Sequence, residues 1–91
     1  MEQEKKLIRI KPNTTVPGGA GAIVGAVKEG YQVEVRALGA GAVNQMFKAL
    51  ARARGTLALQ GKDLYVKPGF DTVNDDNGNE LSVVVAYIVI M

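Results

Sequence analysis

The sequence contains no cysteine, no histidine and no tryptophan. Without thiols there are no disulfides, cysteine nucleophiles or Cys/His zinc sites, and without imidazole there is no histidine acid–base catalyst. Its only serine, Ser82, lies inside an apolar run, and no carboxylate pair adjoins a glycine turn. An enzyme is therefore not expected, nor is a cofactor or a metal site. Aromatics are few (Tyr31, Phe47, Tyr65, Phe70 and Tyr87), so the core must come from Val, Leu, Ile and Ala. Long hydrophobic runs are missing too. The apolar stretches near 16–27 and 81–91 fall short of the about 20 residues a membrane helix needs. The charged start Met-Glu-Gln-Glu-Lys-Lys does not read as a signal peptide, so a cytoplasmic protein with no membrane partner is expected.

Basic residues are absent from one end. Residues 71–91 hold Asp71, Asp75, Asp76 and Glu80 with no Lys or Arg, whereas residues 1–70 hold all eleven basic residues against five acids. A basic body with an acidic appendage suits an anionic partner on part of the surface only. The acidic run does not fit a calcium loop. Setting Gly78 at the loop glycine of an EF-hand puts Val73 and Val84 at the first and last ligand positions.

The length of 91 residues suits a single domain, 1–91, with 1–5 as a loose end and 71–80 as a hairpin tip. Alternation of Ile8 and Ile10 with Arg9 and Lys11 predicts a strand over 6–11 that Pro12 stops. A polar loop follows, and Pro17 suits the first turn of a helix over 18–29. Gly18, Gly21 and Gly25 form a ridge on that helix where a backbone can approach, and Gly30 caps it. Val33, Val35 and Ala37 alternate with Gln32, Glu34 and Arg36 in a second strand, leaving the latter three on an open face. A long helix follows over 40–54, with Val43, Met46, Phe47, Leu50 and Ala51 inward and Gly55 as its cap. Arg52 and Arg54 then sit at the negative end of its dipole. A third strand, 62–67, is marked by Pro68 as an edge. Asn77-Gly78 signals a two-residue turn, and the last strand, 81–91, is apolar on both faces and so belongs inside a sheet.

Right-handed crossovers put both helices on one face of the sheet. An edge third strand and a central fourth then give an α+β, two-layer βαβαββ fold with a mixed four-stranded sheet of order 1-2-4-3. Leu81, Val83, Val85, Tyr87 and Val89 alternate with Val84, Ala86, Ile88 and Ile90. Either set would be left wet on the open face, which predicts a homodimer or higher oligomer.

The glycine turns do not make a nucleotide fingerprint. The first reads G-x-G-x-x-x-G, the second lacks a third glycine, and no G-K-[ST] is present. The basic groups are more informative. Parallel first and second strands bring Lys11 and Arg36 to one edge, beside Gly39 and Gly41 at the start of the long helix. Free amides and the helix dipole make that edge a phosphate site, and Lys48 and Arg52 extend positive charge along the helix.

Three motifs carry a family resemblance. G-A-G-A-V-N-Q-x-x-K-A-L-A-x-A-R-G (39–55), A-G-A-I-V-G-A-V-K-E (20–29) and K-D-L-Y-V-K-P-G-F (62–70) resemble the stage V sporulation protein S family. The resemblance implies an Alba-like fold and a regulatory role in sporulation. It also implies binding of nucleic acid, DNA or RNA, by the edge with Lys11 and Asn13, and a place for Asn44 and Gln45 at a dimer contact or ligand. Alba-type proteins use further basic residues after the first strand and a basic hairpin. Here Pro12 and Asn13 follow Lys11 and the hairpin is acidic, which argues against simple duplex wrapping. The alternative is a self-associating interaction module that does not bind nucleic acid.

Overall fold

The structure, a computed structural model, describes residues 3–91. Its elements run β1 (Lys5–Ile10), α1 (Val16–Lys28), β2 (Gln32–Ala37), α2 (Ala40–Ala58), β3 (Leu64–Asn74) and β4 (Glu80–Ile90). The sheet order is β1-β2-β4-β3, with β1 and β2 parallel and the other pairs antiparallel, as the sequence predicts. Of the expected loose end, positions 1 and 2 lie outside the described residues. Gln3 Nε2 donates to the Gly30 carbonyl (3.1 Å), and Lys5 already pairs with Gln32.

Several elements differ from their predicted bounds. α1 starts earlier because Thr15 caps it, its hydroxyl accepting from the Gly18 amide at 3.1 Å. α2 continues through Gly55 to Ala58, and Gly61 (φ +74°) takes the left-handed position after it. Glycine inside a helix costs about 1 kcal/mol, while burying a leucine returns about 1.5–3, and Leu57 in the added turn is fully buried. Arg52 and Arg54 consequently lie inside the helix, away from its negative end. β3 runs past Pro68, tolerable on an edge strand, and the ladder continues to Asn74↔Glu80. The tip is thus 75–79. Its turn has the Gly78 amide bonded to the Asp75 carbonyl and the Asp75 amide bonded to the Asn79 carbonyl, a three-residue loop closed by Gly78 at φ +80°.

The inward face of α2 is also rotated from expectation. Ala42, Met46, Ala49, Leu50, Ala53 and Leu57 are buried, whereas Phe47 is 71% exposed and Ala51 is exposed. Small alanines let α1 approach. A β-carbon on Gly19 would lie 3.1 Å from Ala49 Cβ, so the close contact is at Gly19. The predicted ridge positions Gly21 and Gly25 meet nothing within 4 Å.

The helices cover one face of the sheet, where Ile10, Val33, Val35, Ala37, Ala86 and Ile88 join the core. The open face keeps part of its expected apolar exposure, at Leu7, Tyr65, Val73 and Tyr87, but its centre is dry. Val83 and Val85 there are 7% and 1% exposed within a single chain. Arg36 stands opposite Val85 and Asp71 opposite Val83, so the Arg36–Asp71 ion pair crosses β4 above both valines. Tyr87 leans across Gly69, where a β-carbon would meet Tyr87 Cε2 at 2.8 Å. Glu34, expected in water, is 9% exposed and pairs with Lys5 at 3.5 Å. On the helix side, Phe47 and Val66 are exposed around a hollow of about 240 Å³ lined by Phe47, Leu50, Ala51, Arg54, Leu64 and Val66, and Phe70 is exposed farther along β3.

β2 pairs with β4 only as far as Ala37↔Val84, whereas β3 and β4 stay paired for four further positions, Asp71↔Val83 to Asn74↔Glu80. Those positions and the tip form a two-stranded arm carrying the four acids of the chain's acidic end.

Candidate functional site

The parallel pairing of Ile10 with Ala37 brings the ends of β1 and β2 to one edge. Lys11 follows β1 and opens a tight turn. Its amide donates to Thr14 Oγ1 at 2.8 Å, and the Thr14 amide returns to the Lys11 carbonyl at 3.0 Å. This turn leaves Lys11 and Asn13 exposed.

On the other side, Gly39 (φ +89°) reverses the chain so that α2 starts beside the turn. A positive φ at this point is costly for any residue with a β-carbon. α2 has no side-chain cap, so no capping side chain occupies its first amides, an arrangement that suits an anion. Gly41 packs under Pro12, where a β-carbon would meet Pro12 Cβ at 3.3 Å. Gln45 Nε2 donates to the Thr14 carbonyl at 2.9 Å and ties the turn to α2. Asn44 Nδ2 lies 3.4 Å from Gln45 Oε1 and is exposed. Lys11, Asn13, Gly39, Gly41, Asn44 and Gln45 are therefore brought together. Lys48 is exposed one helical turn beyond Asn44. Arg52 lies farther off, lining a groove between the two helices with Lys28, Gly21 and Gly25.

Arg36 meets that edge cluster only at Lys11, with which it shares a hollow. Its side chain lies on the open face, 16% exposed and paired with Asp71. The guanidinium hydrogen bond, helped by the Thr72 amide, holds the Asp71 carboxyl below the usual aspartate range. Asp75 is lowered as well, chiefly by the Asn79 amide, and its carboxylate organises the hairpin turn. One cation escaped sequence reasoning. Arg9 pairs in register with Arg36, and both line a hollow of about 250 Å³ with Lys11 and Val83. The signal was available, since strand alternation puts Arg9 and Arg36 on the same face.

Two α-helices packed on one face of a β1-β2-β4-β3 sheet define an Alba-like protein. Alba from Thermoplasma volcanium has this fold, with a TM-score of 0.63 at 10% identity over 91% of this chain and 98% of that one. Residues 6–90 match the profile of the Stage V sporulation protein S (SpoVS) family, and the chain belongs to that family. Membership fits a regulatory role in sporulation. No helix among the described residues is long and apolar enough to cross a membrane.

Proposed function

We propose that this chain is a non-enzymatic regulatory protein of sporulation that binds nucleic acid, DNA or RNA, through phosphate contacts at the edge where β1 and β2 end. The observation carrying this reading is the meeting of Lys11 and Asn13 with the uncapped start of α2. Lys11 and Lys48 make no ion pair among the described residues, so both are available to phosphate. Contacts of this kind fix position on a backbone and read little sequence. The acidic arm repels phosphate and limits the contact to the basic side.

Labelled duplex DNA, single-stranded DNA and RNA titrated across a salt series test it. Lys11→Glu weakens binding to every sequence and lowers the salt slope by about one unit. Unchanged affinity and slope would remove this edge as the site.

A second reading, a self-associating interaction module, is favoured by the exposed apolar surface around Phe47 and Val66. A second chain packed over it forms a homodimer, which is compatible with nucleic-acid binding. Sedimentation equilibrium at micromolar concentration then gives twice the 9.6 kDa chain mass, and Phe47→Ser shifts it toward the monomer. A wild-type monomer would count against this surface as an interface.

A further inference from the structure

Arg9 and Arg36 stand directly opposite each other on adjacent parallel strands, with side chains on the open face. Lys11, two residues beyond Arg9, comes to the same corner. The three cations line a hollow of about 250 Å³ whose remaining wall includes Leu38, Val73 and Val83. Like charges directly opposite each other in a sheet are destabilising. Covering Val83 and Val85 would need only one long side chain, so the second arginine and the lysine are surplus to packing. Among the described residues a single carboxylate, Asp71, pairs with any of the three.

Asp71 itself is held loosely. It sits on the arm, its side chain is 50% exposed, and apart from Arg36 its bond is to the neighbouring Thr72 amide. Guanidinium forks bind carboxylate and phosphate with the same geometry, and phosphate carries more acceptor oxygens. At about 250 Å³ and open to solvent, the hollow can admit a phosphate group.

We propose that this hollow is a phosphate subsite formed by Arg9, Lys11 and Arg36, and that Asp71 is its built-in competitor, displaced from Arg36 when a nucleic-acid phosphate enters. This rests on the nucleic-acid reading and adds regulation to it. The acidic arm, which otherwise only repels a polyanion, sets the affinity threshold. Binding also frees the arm from the sheet at Asp71.

Asp71→Asn separates the two roles, because the amide oxygen can still accept from Thr72 while the charge is gone. An oligonucleotide duplex binds this variant roughly two- to fivefold more tightly than wild type, the range of an exposed ion pair. The slope of log K against log salt steepens by about 0.9. Adding Arg9→Gln to Asp71→Asn cancels the gain and flattens the slope by a similar amount. Wild-type affinity and slope in Asp71→Asn, or no effect of Arg9→Gln, would overturn the subsite while leaving the Lys11 edge standing.

If wild type binds no oligonucleotide, the nucleic-acid reading falls and pyrophosphate becomes the probe. Shifts of the Arg9 and Arg36 Nε–Hε resonances that are larger in Asp71→Asn than in wild type would uphold the subsite. Absence of such shifts would overturn it.

Discussion

The two faces of the sheet are both dry at their centres, by different means. On the helix side Val35 and Leu57 are fully buried among the apolar side chains of two helices. On the open side Val85 is 1% exposed, yet its cover is an ion pair and the Arg36 side chain. Apolar packing is neither screened by salt nor titrated by acid, whereas a cover made of charges is subject to both. A sheet face without helices can thus be closed within one chain, at the cost of tying up a cation that the sequence offers for binding.

Substitutions on each side should separate the two mechanisms. Leu57→Ala carries the largest expected effect, about 2–5 kcal/mol lost in denaturant unfolding, since it leaves a cavity between α2 and the sheet. A loss under about 1 kcal/mol would show that the helix layer collapses to fill it. Arg36→Ala removes the cover from Val83 and Val85 and should cost less, about 1–2 kcal/mol. Equal losses at the two sites would erase the distinction between the faces.

The smallest effect is expected from acid. The Asp71 carboxyl is lowered in the fold by Arg36 and the Thr72 amide. Its stabilisation is therefore complete above the unfolded value of about 3.9 and is lost as pH falls through the lower folded value. Between about pH 5 and pH 2 the stability gap between wild type and Arg36→Ala should narrow, while the gap to Leu57→Ala holds. Parallel behaviour of the two gaps would mean that Arg36 acts through its hydrocarbon stem alone. Asp63 and Asp75 are lowered too, so wild type and both variants weaken together in acid and only the differences report Asp71.

Much of the candidate site was legible before the fold was known. Parallel β1 and β2 follow from the helical crossover between them, and that alone put Lys11 and the start of α2 at one edge. The roles of Gln45 and Gly41 were not legible. Gln45 tethers the Thr14 carbonyl and Gly41 makes room for Pro12, contacts between segments about 30 residues apart that no local pattern encodes. The face of α2 was misjudged because hydrophobicity weights Phe47 above Ala42, Ala49 and Ala53. Close packing against Gly19 instead rewards the smallest side chains.

The sequence by itself determined the kinds of element and their order. Period-two alternation, the stop at Pro12, the turn glycines and an apolar β4 left only the 1-2-4-3 sheet with both helices on one side. These signals are local or follow from chain handedness, so they survive without coordinates. Tertiary structure alone decided where α2 stops, which glycine faces a neighbour and what Arg36 does. Each depends on what the rest of the chain brings within a few ångströms. Leu57 finds a core to fill, so the helix passes Gly55; Asp71 arrives on the arm, so an arginine drawn toward phosphate by sequence is instead held across the sheet.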